Sequence, residues 1–491
     1  MRLWFDAAKC LPARRDPLQG FTTEAWLCAL VQGLVTGGRG FLATEPMRGD
    51  RPLVSILGLA KAPSAETVEE VIKYLACDGV GGHEALLTMR HRQVIRLLAR
   101  EQMNGLMKHD FVLVRGDGTL LETQGKAKDA PERIDGAWGW MASGIFIGSN
   151  LVACDFSRVV VSKESTIMTE EKVATVVGDK PRSEAELVVT RRLLPGAATT
   201  LAKAGLANKS LVLMDPLDGE GTTLTILESI TGSRHIVGAN KLVRTGAVLC
   251  EQPDSQWKDT GDATQCRGWA GSAVCVATIQ CEGWEAKRTL VGRRWRNGGE
   301  LIWNDSGLVT NLAAGDPRMK AAMTTRKCSF AGAVWHLYSH KQGMENQWKD
   351  LLRDVGLHTM PCGKAAVNAV FPAIAALALN IKTGYARLRL SKAAMTLWGF
   401  GRDVLGLPAR IPRRAGGVLV HLLVRARATV PRNRCRLRQT RRPVAQQTPS
   451  QSNIKRTAQQ EPNTPQTPQK AQQDYAHSST PLLPPAGQNL G

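Results

Sequence analysis

The sequence lacks the features that mark several common classes of protein. Its 11 cysteines are odd in number and include no Cys-x-x-Cys pair, which argues against a zinc ribbon or a disulfide framework and favours reduced thiols in a cytosolic compartment. The N-terminal residues 1–6 contain no apolar stretch long enough for a signal peptide. The longest apolar run, residues 365–381, is interrupted by Asn368 and Pro372 and is shorter than the ~20 residues of a bilayer crossing. We therefore expect a buried core helix there and no membrane association.

Acidic residues are scarce relative to basic ones. The chain has 43 Asp and Glu against 64 Lys and Arg, a formal net charge of +21 and a pI near 9.8. Such a charge is needless repulsion in an ordinary small-molecule enzyme, but it suits a protein that neutralises phosphates. Nucleic acid is therefore the first partner to consider. The excess is concentrated in residues 382–442, where the only acid is Asp403, as expected of an arm that contacts nucleic acid.

The first 108 of the 491 residues have mainly helical spacing. Apolar residues recur at this spacing in residues 25–35, 68–75 and 94–107. Thr67 and Glu70 have the spacing of a capping box and predict a helix start there. We assign residues 1–108 to an N-terminal helical domain that binds DNA. A helical cap that only packs on the rest of the protein is an equally good interpretation.

From residue 111 the apolar period becomes that of strands separated by helices, which predicts a mixed α/β fold. Strands are predicted at residues 111–114, 144–147, 159–162, 211–214 and 235–238, with helices at 184–194 and 199–207. The later segments differ in composition and are assigned as follows: core, 109–244; β-rich insertion, 245–299; second part of the core, 300–381; basic helical arm, 382–442; disordered Gln- and Pro-rich tail, 443–491.

Three acids stand at positions that favour a two-metal site for phosphoryl transfer. Asp117 and Asp215 follow apolar strands, and Glu345 opens an amphipathic helix, with Lys349 one turn later as a phosphate-binding base. Two Mg²⁺ ions roughly 4 Å apart can activate an attacking oxygen and stabilise a leaving one. Such hard ions prefer carboxylates and waters to His or Cys, and Mn²⁺ can substitute for Mg²⁺.

Simpler interpretations stay open at each acid. The Asp-Gly pair at Asp117 is a common turn sequence. Asp218 competes with Asp215 as the second acid. Glu345 and Lys349 could form an exposed i,i+4 ion pair worth only ~0.3 to 0.5 kcal/mol. The interpretation as metal ligands is favoured because each acid directly follows or opens a regular element.

Seven groups of residues, in this order along the chain, carry a resemblance to bacterial insertion-sequence transposases of the DDE type. The groups are Ala43-Thr44-Glu45-Pro46; residues 57–64 with Thr67; Asp117-Gly118-Thr119; residues 308–312; Glu345-Asn346 with Lys349-Asp350-Leu351; Gly356-Leu357 with Met360-Pro361-Cys362; and residues 375–380. The resemblance spans about residues 21–424.

This resemblance implies an RNase H-like core, a central mixed sheet flanked by helices, with a β insertion before the catalytic Glu. Asp117 would be the acid of the first core strand, Asp215 that of the fourth, and Glu345 that of the helix after the insertion. All three would be catalytic metal ligands. The implied activity is binding of the element's terminal inverted repeats, followed by metal-dependent cleavage and strand transfer to target DNA.

The family's Tyr, Arg, Glu, Lys signature is matched in part. Tyr338 and Glu345 are in place, and Lys341 stands for the Arg, as a point charge without the bidentate fork. The final Lys is absent, and Lys349 and Arg353 are the nearest basic residues. The resemblance implies that these residues contact DNA.

The expected partner is double-stranded DNA, both the inverted repeats and the target, with a homodimer in the synaptic complex. The expected location is the bacterial cytoplasm, in association with the nucleoid. The main alternative is an inactive or domesticated DNA-binding remnant, and a third possibility is a nuclease of the same fold without strand transfer.

Two minor hypotheses concern other residue types. His336 and His340 are four apart and could hold zinc, although no third ligand is evident. Trp257, Trp269 and Trp284 of the insertion are expected to pack its sheet, but related transposases use an aromatic there to stack on a flipped base.

Overall fold

The computed structural model describes the chain in segments. These are residues 3–13, 21–56, 59–105, 111–122, 139–156, 160–161, 166–168, 173–175, 181–215, 221–231, 234–239, 244–259, 272–281, 284–296, 303–357, 360–362, 364–390, 409–410, 413–414, 417–418 and 421–422. The chain divides into two compact units, Met1–Cys435 and Arg436–Gly491, and every described residue belongs to the first. Most of the predicted basic arm, the predicted Gln- and Pro-rich tail, Asp218 and Trp269 lie outside the described residues.

The helices of the described segments fall mainly at the two ends of the chain. They are α1 (Leu3–Cys10), α2 (Thr23–Val35), α3 (Arg51–Ile56), α4 (Ala65–Leu75), α5 (Gly82–Met103), α6 (Pro181–Lys203), α7 (Gly221–Thr231), α8 (Thr245–Cys250), α9 (Pro317–Arg326), α10 (Phe330–Ser339), α11 (Gly343–Lys349) and α12 (Ala365–Tyr385). A ten-residue 3-10 segment, Gly40–Gly49, joins α2 to α3.

The strands occupy the middle of the chain. They are β1 (Val112–Glu122), β2 (Gly139–Ile147), β3 (Asn150–Phe156), β4 (Val160–Val161), β5 (Thr166–Met168), β6 (Val173–Thr175), β7 (Ser210–Met214), β8 (Arg234–Gly238), β9 (Lys258–Asp259), β10 (Ala273–Ile279), β11 (Arg288–Trp295), β12 (Asn304–Thr310) and four two-residue strands, β13 (Ala409–Arg410), β14 (Arg413–Arg414), β15 (Gly417–Val418) and β16 (His421–Leu422).

The largest sheet of the described part has the strand order β3-β2-β1-β7-β8-β12-β11-β10-β9. β2 is antiparallel to β1 and β3, whereas β1, β7 and β8 are parallel to one another. Parallel neighbours need crossover connections, and α6 and α7 are those connections. The order β3-β2-β1-β7-β8 with this polarity is that of an RNase H-like core, which confirms the predicted fold class.

The strands of the predicted insertion continue the same sheet. β12 is antiparallel to β8, and β11, β10 and β9 follow in antiparallel order. The core sheet therefore extends beyond its fifth strand.

Helices cover both faces of the core sheet because its strands are apolar on both sides. Val114 and Val212 share one buried cluster with residues of α6 and α7. Leu211 and Leu213 share another cluster with residues of α10 on the opposite face. Successive strand residues point to opposite faces, so the position after Leu213 by two residues belongs to the α10 face.

The N-terminal helices begin close to where the sequence predicts them. α4 starts at Ala65, two residues before the predicted start at Thr67, because Ser64 caps it by accepting a hydrogen bond from the Thr67 N–H at 3.3 Å. The Glu45 carboxylate accepts a second bond, from the Ala65 N–H at 2.8 Å. Glu45, part of a motif shared with transposases, thus has a structural role at a helix end.

Helix α12 is the predicted core helix. The stretch Ala365–Leu388 is long and apolar enough to cross a membrane, but 83% of its apolar window is buried inside the protein. It packs on α2, α4, α5 and α11 in one apolar cluster with the Phe146 face of β2. Burial in the protein accounts for its apolar composition.

Two local predictions differ from the structure. Residues 181–203 form one helix, α6, with Pro195 inside it, where two helices are predicted. β3 is an additional strand, and it pairs along its length with β2 in a hairpin that turns through Gly148, whose φ is +60°.

Candidate active site

Asp117 and Asp215 lie side by side on the α10 face of the sheet. The parallel ladder between β1 and β7 pairs Leu113 with Leu211 and Arg115 with Leu213. Continued by two residues, this register places Asp117 opposite Asp215, and neighbouring strands are about 4.8 Å apart. Two carboxylates that are distant in sequence therefore meet at the edge where β7 ends.

The ammonium of Lys341 lies between these two carboxylates. Its Nζ is 2.8 Å from Asp215 Oδ2 and 3.5 Å from Asp117 Oδ2. Only 12% of the Lys341 side chain is exposed, against 16% for Asp117 and 33% for Asp215. Asp117 also accepts a hydrogen bond from the Gly118 N–H at 3.0 Å through its other oxygen. The pair of carboxylates thus binds a single cation, which in this structure belongs to the protein.

The charge state of Lys341 follows from its neighbours. Burial favours the neutral amine and lowers the pKa of Lys341, but the charges and hydrogen bonds of Asp117 and Asp215 outweigh burial. The net result is a pKa of Lys341 above its ordinary value. The group is therefore a permanent cation at neutral pH.

The backbone that carries Lys341 is fixed on both sides. The Tyr338 hydroxyl donates to the Met214 carbonyl at 3.1 Å, which ties α10 to the last residue of β7. From β1, the Arg115 guanidinium donates to the carbonyl of His340 at 3.3 Å and to Gln347 Oε1 at 3.3 Å. Both tethers leave from residues next to or near the two acids.

Arg115 is not among the residues predicted from the sequence, yet it links the site's elements. It also donates to the carbonyl of Gly148 in the β2 to β3 turn. A Cβ at Gly343 would lie 2.9 Å from Arg115 Nη1, so this helix start passes close to the guanidinium. Burial, together with the charge of Arg387, lowers the pKa of Arg115 to about 10, which leaves it charged at pH 7. The available signal is an arginine inside an apolar strand, two residues before Asp117.

The helix that carries Glu345 docks on the strand next to Asp117. Trp348 of α11 packs on Gly144, which pairs with Asp117 across the β1 to β2 ladder, and a Cβ at Gly144 would be 2.7 Å from Trp348 Cζ2. Trp348 also meets Phe146 edge to face, with ring centroids 6.0 Å apart. The apolar side of α11 is thereby seated on the sheet, and Glu345 is on its exposed side.

The predicted site residues are brought together only in part. Asp117, Asp215, Lys341 and Tyr338 converge, whereas Glu345, Lys349 and Arg353 are exposed on the following helical turns. Across the segments that the structure describes, no three His, Cys, Asp or Glu side chains are grouped closely enough to hold a metal ion. Glu345 is thus four residues from Lys341 but is not gathered with the two aspartates.

The two histidines considered for zinc are neighbours. The His336 and His340 rings meet edge to face with centroids 5.0 Å apart. The described residues supply no third ligand to them, and the tertiary structure thus adds nothing to the zinc hypothesis.

An Arg and Trp cluster lies on the insertion strands. The Arg294 guanidinium stacks between Trp257 at 4.5 Å and Trp303 at 4.7 Å, and Arg296 stacks on Trp303 at 4.1 Å. Trp303 is 38% exposed. Arginines held by aromatic rings keep their donors in fixed positions, which suits phosphate binding. Of these residues only Trp257 is singled out from the sequence; the signal for the rest is the Arg293-Arg294-Trp295-Arg296 run.

The other tryptophans of the insertion are placed differently. Trp284 is 6% exposed and packs beneath Arg288, whose guanidinium is 4.9 Å from the ring centroid. Trp284 therefore packs the sheet, as one of the two interpretations expects.

Comparison with known proteins gives one distant structural likeness. No family model matches the chain, and no curated protein matches its sequence. Among solved structures, the chain aligns with piggyBac transposase in a synaptic complex with hairpin DNA over 85% of each chain, at 12% identity and a TM-score of 0.27. A TM-score of this size is too low to establish a common fold, so the RNase H-like assignment is made on strand order and polarity.

Proposed function

We propose that this protein is a DDE-type transposase of an insertion sequence, which binds terminal inverted repeats and moves its element by cut-and-paste. One observation carries the proposal: Asp117 and Asp215 stand opposite each other on adjacent parallel strands of an RNase H-like sheet, with oxygens directed at a common cation. Carboxylates placed in this way suit phosphoryl transfer with divalent metal ions.

The residues present fit a magnesium site. Carboxylate oxygens are the ligands that Mg²⁺ prefers, and the bound Lys341 ammonium indicates that the Asp117 and Asp215 oxygens already converge on a positive charge. Glu345 would supply the third carboxylate from α11. Two Mg²⁺ ions, for which Mn²⁺ can substitute, would lower the barrier for attack of water or a 3′ hydroxyl at phosphorus. The protein's own part is to hold the acids on rigid elements and to place DNA against them.

DNA contacts are proposed for the basic residues around the acids and on the insertion. Tyr338, Lys341, Lys349 and Arg353 would lie along the scissile strand. The Arg and Trp cluster would bind the phosphate backbone, and the net charge of +21 favours association with a polyanion. Two ends must be brought together for cut-and-paste, so a homodimer is proposed in the synaptic complex. The proposed location is the bacterial nucleoid.

The test is cleavage and joining of labelled duplexes that carry the DNA bordering the gene, in Mg²⁺, with a supercoiled plasmid as target. Wild type is expected to give end-specific nicks and joined products, and Glu345→Gln, Asp117→Asn and Asp215→Asn none. Glu84→Gln, which alters an exposed acid on α5, is the matched control and should act as wild type.

Each alternative gives a different result in this experiment. Specific binding without products from wild type would favour a DNA-binding remnant. Nicks without joined products would favour a nuclease. Equal products from wild type and Glu345→Gln would remove Glu345 from the site.

A further inference from the structure

The most unusual feature of the site is an internal cation bound to both acids. Lys341 Nζ is 2.8 Å from Asp215 and 3.5 Å from Asp117, on a side chain that is 88% buried, as its 12% exposure states. Two carboxylates this close repel each other, and one ammonium compensates half of their charge. The site is thus assembled and negative before any metal arrives.

The tethers around Lys341 fix its backbone but not its side chain. Tyr338 is bonded to the Met214 carbonyl on one side, and the His340 carbonyl is bonded to Arg115 on the other. The four-carbon stem of a lysine lets its ammonium move several ångströms about a fixed Cα. The ammonium can therefore leave the carboxylates without any change in α10 or the sheet.

We propose that Lys341 is a resident counter-ion that a divalent metal displaces from Asp117 and Asp215. This inference rests on the proposed metal site. A divalent ion and the ammonium bind the same oxygens and exclude each other, because Mg²⁺ needs oxygens at 2.0–2.1 Å and carries twice the charge. The displaced ammonium then has a phosphate as its nearest available anion when DNA is bound.

A clear consequence is that Lys341 weakens metal binding in the free protein. The metal must displace a bound cation, so the apparent affinity is lower than the two carboxylates alone would give. Removal of the charge should raise divalent-ion affinity by about tenfold, the factor that corresponds to 1.4 kcal/mol. The same removal should lower the metal-free thermal midpoint, because it leaves two acids uncompensated, and should enlarge the increase in midpoint that metal produces.

The experiment measures Mn²⁺ binding to the full chain without DNA, from the EPR signal of the free ion, together with thermal unfolding with and without Mg²⁺. The variants are Lys341→Met, Lys341→Gln, Asp215→Asn and the control Lys349→Met, an exposed lysine on α11. Circular dichroism at 25 °C checks folding, and Lys341→Gln serves if Lys341→Met does not fold.

The expected result is about tenfold tighter Mn²⁺ binding in the Lys341 variants, unchanged binding in Lys349→Met, and loss of binding in Asp215→Asn. Equal or weaker binding in the Lys341 variants, with loss in Asp215→Asn, would overturn the exchange but leave the metal site intact. Equal binding in wild type and Asp215→Asn would overturn both the exchange and the proposed site.

Discussion

Asn380 completes the hydrogen bonding of the edge strand at Leu151. Its Oδ1 accepts from the Leu151 N–H at 2.8 Å, and its Nδ2 donates to the Leu151 carbonyl at 2.9 Å. Nδ2 also donates to Gln93 Oε1 at 3.2 Å, which ties α5 to the same point. β3 is the outermost strand on this side of the sheet, so a side-chain amide from α12 takes the place of a neighbouring strand.

Asn380→Ala is expected to lower the free energy of unfolding by about 3 kcal/mol, because it leaves a buried N–H and a buried carbonyl of Leu151 without partners. Urea unfolding measures the change. Asn208→Ala, at an exposed asparagine before β7, is the matched control and should stay within about 0.5 kcal/mol of wild type. An unchanged midpoint in Asn380→Ala would mean that the amide contributes nothing net.

The bidentate pair of Arg288 and Glu228 joins the insertion strands to the core. Arg288 Nε and Nη2 each lie 3.0 Å from an oxygen of Glu228, and the Arg288 side chain is 6% exposed. Arg288→Lys keeps the charge but loses the fork, so a loss of about 2 kcal/mol in unfolding free energy is expected. A double-mutant cycle with Glu228→Gln should give a coupling of about 1 to 3 kcal/mol. Additive single effects would contradict this account of the contact.

Docking of the Glu345 helix depends on the absence of a side chain at Gly144. Gly144→Ala puts a Cβ 2.7 Å from Trp348 Cζ2, so α11 or the ring must shift. We expect a loss of about 1 to 3 kcal/mol in unfolding free energy and a fall in cleavage activity. Gly246→Ala, at a glycine with open space around it, is the control.

A second variant separates docking from general damage. Trp348→Phe removes the ring atoms that the new methyl would meet, so Gly144→Ala with Trp348→Phe should regain part of the lost stability. A double variant less stable than the sum of the singles would disprove the contact.

The buried His235 predicts loss of stability in mild acid. Burial lowers the pKa of His235 to about 4, against an opposing effect of Glu228. The unfolded chain, with an ordinary pKa near 6.5, therefore binds the proton first between pH ~6.5 and ~4, and stability falls as pH falls through this window. From pH 7 to pH 5 the loss from this residue should be about 2 kcal/mol.

His235→Asn should flatten the pH dependence of the urea midpoint between pH 7 and pH 5 but not abolish it. Burial lowers the pKa of His91 to about 4 as well, so His91 contributes in the same window. His477→Gln, in the Gln- and Pro-rich tail, is the control. Equal slopes for His235→Asn and wild type would show that His235 is protonated in the folded state.

Much of the core could be predicted because its signals are local. Apolar runs predict the strands that contain Val112 and Leu211, and a change of composition marks the insertion. The helices around Pro195 were harder to predict, because proline ordinarily interrupts a helix and only packing on the sheet keeps α6 continuous. β4 matches its predicted position within two residues, and β3 follows from a hairpin that the periodicity of residues 144–147 does not reveal.

The sequence by itself determined the element types, the candidate acids and the basic character, since each depends on residue identity and on spacing along one segment. Only the tertiary structure decided that Asp117 and Asp215 share one cation, that the cation is Lys341, and that Arg115 ties the helix start to the strand. Those relationships join residues about 100 to 230 positions apart. They arise from strand register and side-chain packing, which no local pattern in the chain encodes.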